Sequence, residues 1–286
     1  MASQDAGALT APDIARAMAY AEGRNFVWLA EGRAAEFLAP RAPDRSAIAA
    51  IMAHKAVDIF LTRPRGRRKA VLVADMDCTI ITAETLDELA AFAGVKEEVA
   101  ALTTRAMNGE MDFAVALHER VALLKGLKLS ALEETWKKMR YMPGAKTLVA
   151  TMNAFGATTA LISGGFSFFT ARVAQELGFA THRANILRDD GAALTGAVEE
   201  PILDKAAKLA ALAEFAEARG VKLAATLAVG DGANDLPMLK AAGLGIAYRA
   251  KPIVAAEMLN RVEHTDLTSL LFAQGYPASS FKGVEA

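Results

Sequence analysis

A four-residue apolar run, Val71-Leu-Val-Ala74, is followed at once by Asp75 and Asp77, and comparable runs recur at Thr158–Ile162 and Ala225–Val229. Short continuous apolar stretches mark strands buried on both faces, the situation of a parallel sheet covered by helices. Between them the chain reads as helix at about 145–155, 166–177, 204–219 and 233–242. This alternation predicts repeated βα units, and hence an α/β fold with a parallel sheet, helices on both faces and right-handed crossovers. One stretch departs from it. Residues 84–141 have helical patterning with no clear strand, so a helical cap is expected to be inserted after the first strand.

The flanking regions complete the organisation. At about 150 residues per domain, 286 residues suggest roughly two, and they can bury a sizeable core without disulfide or metal staples. Residues 1–66 read as a small α/β segment. Thr10 and Asp13 form a capping-box-like start to a short helix that Gly23 can close, Phe26–Leu29 reads as a strand, Ser46 can cap a second helix, and Ala56–Leu61 reads as another strand. Pro64 and Gly66 place a boundary near residue 66, leaving 67–83 and 142–286 as the core. The basic run Arg63, Arg65, Arg67, Arg68 and Lys69 reads as a solvated linker, and Arg188–Val198, turning at Asp190-Gly191, as a hairpin attached to the sheet.

Charge and cysteine content narrow the setting. With 32 basic and 33 acidic side chains the formal charge is −1, which gives no broad field for steering onto nucleic acid or an anionic membrane. No stretch approaches the roughly 18 uninterrupted apolar residues of a membrane helix. The single cysteine, Cys78, and the polar opening without a basic-then-apolar leader point to the cytoplasm.

Catalytic groups of open parallel sheets lie beyond the carboxyl ends of the strands. Here each apolar strand ends in reactive side chains. Val71–Ala74 runs into Asp75-Met-Asp-Cys-Thr79; by strand alternation Asp75 and Asp77 project to the same side, where paired carboxylates need a cation or a shared proton. Thr158–Ile162 ends in Ser163-Gly-Gly165, a hydroxyl with exposed amides for an anion. Ala225–Val229 ends in Gly230-Asp-Gly-Ala-Asn-Asp235, and Lys208, early in the 204–219 helix, offers a compact positive charge. Clustered carboxylates with few soft ligands suit Mg²⁺, which binds through carboxylates together with phosphate. The composition therefore points to phosphoryl chemistry.

Asp75-Met-Asp-Cys-Thr79, Ser163-Gly-Gly165, Lys208 and Gly230–Asp235, in that order, resemble the four motifs of the haloacid dehalogenase superfamily of phosphatases. The longer strings ADMDCT, ISGGF and VGDGANDLPMLKAAGLGIAY resemble its phosphoserine phosphatase family, over about residues 70–270. The resemblance implies that Asp75 is the nucleophile that becomes an aspartyl-phosphate. Asp77 would be the acid/base and lend its main-chain carbonyl to Mg²⁺, with Asp75 and Asp231 as further metal ligands. Asp235 would support them and orient Lys208, while Ser163, Gly164, Lys208 and Asn234 would hold phosphate and substrate.

In the insertion, Glu84 matches the position that meets a substrate ammonium, Arg120 the one that clamps a carboxylate, and Met107 and Phe113 the apolar lid. Taken alone, Met107 and Phe113 are ordinary core residues at helical spacing, and Lys205 rivals Lys208. The implied activity is hydrolysis of O-phospho-L-serine, the last step of L-serine biosynthesis, with a small-molecule substrate and a homodimer as the remaining expectation. A phosphatase of another small phosphomonoester is the nearest rival, and a receiver-like signalling module a more distant one. Cys78 stands where that family usually has serine, and is expected to be a small, mostly buried side chain.

Overall fold

The computed structural model describes residues 1–52, 55–107 and 110–284, with the side chains of Ala106 and Met107 outside the description. The N-terminal segment comprises β1 (Ala2–Ser3), α1 (Ala11–Ala21), β2 (Arg24–Ala30), β3 (Ala34–Leu38), α2 (Arg45–Ile51) and β4 (Val57–Asp58). Its four strands form an antiparallel sheet in the order β2-β3-β1-β4. The Thr10 amide and hydroxyl both donate to the Asp13 carboxylate, which starts α1. Glu22 rather than Gly23 takes the left-handed closing position, with φ of 52°. Asp44 rather than Ser46 caps α2, accepting from the Ser46 amide. The strand expected at 56–61 is reduced to two residues.

The predicted parallel sheet has six strands. After β5 (Val71–Ala74) come β6 (Thr158–Phe166), β7 (Thr181–Asn185), β10 (Thr226–Gly230), β11 (Leu244–Tyr248) and β12 (Asn260–Val262), arranged β12-β11-β10-β5-β6-β7 with every pair parallel. Period-two alternation divides β5 between two cores. Leu72 and Ala74 pack with Leu161, Leu227 and Ile246 on one face, whereas Val71 and Val73 pack with Ala160, Ile162 and Ala228 on the other. Each of the valines, leucines and isoleucines among them stabilises the fold by about 1.5–3 kcal/mol on burial. These two cores are what hold the strand ends in fixed register.

Four helices, α3 (Thr85–Ala93), α4 (Lys96–Met107), α5 (Phe113–Ala122) and α6 (Ser130–Lys138), follow β5 before α7 (Ala145–Ala154) returns the chain to the sheet. Their two connections to the core run side by side: the Thr82 amide donates to Arg140, and the Met142 amide to Ile80. The hairpin of β8 (Leu187–Asp189) and β9 (Leu194–Val198) is a separate two-stranded sheet rather than an addition to the six strands. Its backbone partners lie in the connection between α5 and α6: Gly126 and Leu129 donate to Leu194 and Ala192, and Leu194 donates to Leu127.

The N-terminal segment is fastened to the sheet by buried polar contacts. Asp58, fully buried at the end of β4, accepts from the Glu263 and Thr265 amides at 2.9 Å and from the Thr265 hydroxyl at 2.6 Å. Asn260 exchanges two hydrogen bonds with the Leu61 backbone, and Arg33 reaches Asp266 and Thr268. The basic run is a solvated linker only in part: Arg63, Arg65 and Arg68 are exposed, whereas Arg67 is half-buried and Lys69 buried. Arg67 forms a two-point pair with Glu36, Arg68 lies 4.5 Å over the Tyr276 ring, and the Lys69 ammonium donates to the Gly66 and Ala224 carbonyls. The Glu36 carboxylate, the Tyr276 ring and the Ala224 carbonyl are distant in sequence and so invisible in a charge pattern. Arg63 and Arg65 have no such contact among the described residues, and Arg68 stays exposed while covering the Tyr276 ring.

Candidate active site

Lys208 is where the strand ends converge. The helix α9 (Lys205–Ala218), capped by the Asp204 carboxylate on the Ala206 and Ala207 amides, carries Lys208 one turn in, 1% exposed. Its ammonium donates to Asp75 at 2.6 Å and to Asp235 at 2.7 Å. Asp75 continues from β5, and its amide donates to the Val229 carbonyl of β10. Asp235 lies in a short helical turn after β10 followed by α10 (Leu236–Ala241), and its second oxygen accepts from the Gly232 amide at 3.0 Å. A side chain at Gly230 would collide with the Asp235 carboxylate, so glycine there lets the loop fold over its own acid.

Asp75, Asp231 and Asp235 are all buried, and one carboxylate oxygen from each lies within 4.8 Å of the others. Burial raises the Asp75 carboxyl above the ordinary range; repulsion from Asp235 and Asp231 adds to it and Lys208 opposes it. Asp231 is pushed up to about 6 by burial and by Asp235. Burial alone would lower the Lys208 ammonium, but Asp235 and Asp75 outweigh it and hold the group charged, well above its usual value. One ammonium among three buried carboxylates leaves negative charge uncompensated. The donors are all hard oxygens, and the set fits a divalent cation. Asp235 has both oxygens engaged by Lys208 and Gly232, whereas the contact found for Asp231 is the Thr79 hydroxyl at 3.3 Å. Asp75 and Asp231 are therefore the freer ligands.

Asp77 does not simply repeat Asp75. The strand ends at Ala74, and the Thr79, Ile80 and Ile81 amides all return to the Met76 carbonyl in a tight turn. This turn carries the Asp77 carboxylate to the start of α3, where Thr85 donates from its amide at 3.3 Å and its hydroxyl at 3.2 Å. Burial, then Glu84, then Asp75 raise the Asp77 carboxyl well above its ordinary value, which favours a protonated acid. Cys78 within the turn has φ of 53° and is half-buried, more open than its small apolar side chain suggests. Its thiol donates to Glu84 at 3.6 Å, and burial followed by Glu84 and Asp231 holds it well above the ordinary thiol range. It is a neutral donor, not a nucleophile.

Ser163, Gly164 and Gly165 are not a turn after β6 but a bulge within it. Ile162 pairs with Arg183 and Phe166 with Asn185, so four positions of advance on β6 meet two on β7. The Ser163 hydroxyl accepts from the Gly165 amide, and a Cβ on Gly165 would stand 2.7 Å from the Asp77 carboxylate. A Cβ on Gly164 would touch the Phe113 ring at 3.4 Å, which places Phe113 of α5 over the bulge. Asn234 is half-buried on the loop beside Gly232.

Glu84 lies at the entry to α3, 44% exposed at the side chain. Arg120, half-buried on α5, donates to the Ala116 carbonyl and the Thr103 hydroxyl; burial lowers its pKa while Asp87 and Glu84 oppose the shift. Asp87 and, less strongly, Glu84 thus lie within electrostatic reach of Arg120. Met107 ends α4, and its side chain lies outside the described residues. Three positioning groups escaped the sequence reading: Thr85, Thr79 and Asn185. The last is 2% exposed at the end of β7, donates to the Gly164 carbonyl at 2.8 Å and accepts from the Leu203 amide at 2.7 Å. Its only sequence signal is an asparagine closing a polar strand.

The chain belongs to the haloacid dehalogenase-like hydrolase family, whose model matches residues 72–240. Among similar proteins are two called phosphoserine phosphatase. One, from Streptococcus thermophilus, is 44% identical over 71% of this chain and 94% of its own length. The other, from Streptomyces coelicolor, is 42% identical over 82% of this chain, which spans only 57% of that longer protein. A solved structure described as a phospho-aspartyl intermediate analogue of phosphoserine phosphatase is 38% identical, covers 71% of this chain and 98% of its own, and superposes with a TM-score of 0.67. Among the described residues no helix is long and apolar enough to cross a membrane.

Proposed function

We propose that the chain is a Mg²⁺-dependent phosphatase that hydrolyses O-phospho-L-serine to L-serine and phosphate as the last step of L-serine biosynthesis. One observation carries it: Lys208 bridges Asp75 and Asp235 at a buried convergence of strand ends, in a chain whose inserted helices carry Glu84 at the start of α3 and Arg120 on α5. The relatives named above support the substrate. Residues 67–83 and 142–286 would form the catalytic core, 84–141 the cap, and 1–66 a scaffold fastened through Asp58. The single thiol fits a cytoplasmic setting, and a homodimer would meet at the unpaired edge of β2, where Val27 is exposed.

In this reading an Asp75 oxygen attacks phosphorus and forms an acyl phosphate while the serine oxygen leaves, taking a proton from Asp77. Asp77 then removes a proton from water, whose oxygen attacks the acyl phosphate, releasing phosphate and restoring Asp75. The raised Asp77 pKa supports a carboxyl that starts protonated. Lys208, the Ser163 hydroxyl and the amides around Gly164 would hold the phosphoryl oxygens, with Asn234 beside them. Asp75, Asp231 and the Asp77 carbonyl would hold Mg²⁺, which when bound offsets negative charge on the phosphoryl group. Glu84 would meet the substrate ammonium and Arg120 its carboxylate, with a planar guanidinium suited to two oxygens. Phe113 and Met107 would exclude water above them.

Phosphate release from a panel containing O-phospho-L-serine, O-phospho-L-threonine and simple phosphoalcohols tests this. Phosphoserine should be turned over best and Asp75→Asn should abolish both turnover and acyl-phosphate trapping. Full activity in that variant would overturn the mechanism.

A further inference from the structure

One Glu84 oxygen faces two groups at once: the Cys78 thiol at 3.6 Å and the Lys251 ammonium at 3.8 Å. Lys251 precedes α11 (Pro252–Glu257), in a segment that leaves β11 with Arg249 in the left-handed region at φ of 43°. That segment is fixed at both ends. The Arg249 amide donates to Val262 at 2.8 Å, and the Lys251 amide donates to the Asp231 carbonyl at 3.1 Å. The backbone is therefore tied to the carboxylate cluster, and the side chain reaches Glu84 and lies within electrostatic reach of Asp231. Lys251 is the N-cap residue of α11 but makes no cap hydrogen bond with its side chain, which is 40% exposed.

A positive charge beside Glu84 stands where the ammonium of an amino-acid substrate is needed. We propose that Lys251 determines specificity, its ammonium serving as an internal stand-in for the substrate ammonium at Glu84 that an amino-bearing substrate must displace. This inference rests on the phosphoserine reading above. A lysine stem is long and flexible, and its strongly hydrated head is readily returned to water, so displacement is feasible without moving the backbone. A substrate lacking the amino group leaves Lys251 in place and gains nothing at Glu84. Lys251 thus lowers apparent affinity for amino substrates selectively. Because both partners are half-exposed, the effect is modest, about two- to fivefold in KM.

The test is Lys251→Met, which keeps the stem length and the main-chain bond to Asp231. KM is measured for O-phospho-L-serine and for its desamino analogue 3-phosphooxypropanoate, using the inhibition constant where turnover of the analogue is slow. KM for phosphoserine should fall about two- to fivefold with the analogue unchanged, and the change should vanish in a Glu84→Gln background. An unchanged or raised phosphoserine KM, or equal shifts for both compounds, would overturn the role of Lys251. A wild-type protein that does not hydrolyse phosphoserine would instead remove the reading on which the inference rests.

Discussion

Asn185 donates a hydrogen bond of 2.8 Å to the Gly164 carbonyl, which ties the bulge of β6 to the neighbouring strand. Replacing Asn185 with leucine removes this donor and the acceptor for Leu203 together. The two stranded backbone groups should cost about 1–3 kcal/mol each. Asn185→Leu should lower kcat/KM at least tenfold with a clear loss in urea stability. Unaltered kinetics would show that the bulge holds itself.

Gly165 separates stability from chemistry. A methyl there meets the movable end of Asp77 and the hydroxyls of Ser163 and Thr85 rather than backbone. Gly165→Ala should therefore shift the melting temperature little while kcat falls tenfold or more, because Asp77 is turned from its place. Steady-state kinetics beside a thermal melt would show the split, and a parallel loss of both would contradict it.

Metal removal should be visible without turnover. Mg²⁺ bound to the folded chain at 100 times its Kd adds about 2.7 kcal/mol of stability. Chelated protein should melt lower than Mg²⁺-loaded protein and hydrolyse no phosphoserine, and Mg²⁺ should restore both. Asp231→Ala should abolish the Mg²⁺-dependent rise in melting temperature, a result that calorimetry reads directly.

The N-terminal segment carries its own pH dependence. Burial opposes ionisation of Asp13, but donors from Lys55 and Thr10 outweigh it and hold the carboxyl below the usual range. A folded pKa below the unfolded value near 3.9 gives stability that is complete above that pH and is lost as pH falls below it toward the folded pKa. Asp13→Asn should be about 1–3 kcal/mol less stable at pH 6. The gap should narrow steadily below pH 4 in denaturant melts; a constant gap would argue against the charge.

The sheet centre and its reactive ends are legible because fully apolar strands and terminal carboxylates are local signals. Val71–Ala74 appears with the expected limits, and the helices near 145, 166 and 205 differ by a residue or so. Strands whose stability comes from distant partners are not legible. β3, Ala-Ala-Glu-Phe-Leu, has helix-favouring composition and becomes extended between β2 and β1, while β7, Thr-His-Arg-Ala-Asn, is a polar edge. Missing β7 hid Asn185, whose function exists only in three dimensions. The continuation of β6 through a bulge at Ser163–Gly165 is hidden for the same reason: its defining partners are on another strand. Family resemblance singles out Glu84 and Arg120 as candidates, but nothing in the residue pattern links Glu84 to Lys251.

The Asp58 clasp imposes an order on the making of the molecule. Its partners lie as many as 207 positions downstream. At roughly 5–20 residues per second, about 10–40 s of synthesis separate the carboxylate from the amides that receive it. Throughout that interval Asp58 is satisfied by water, and the N-terminal sheet has no surface on which to settle. The first segment to be made is thus among the last to be locked, and the closing of this seam reports that the sheet has been completed to its far edge.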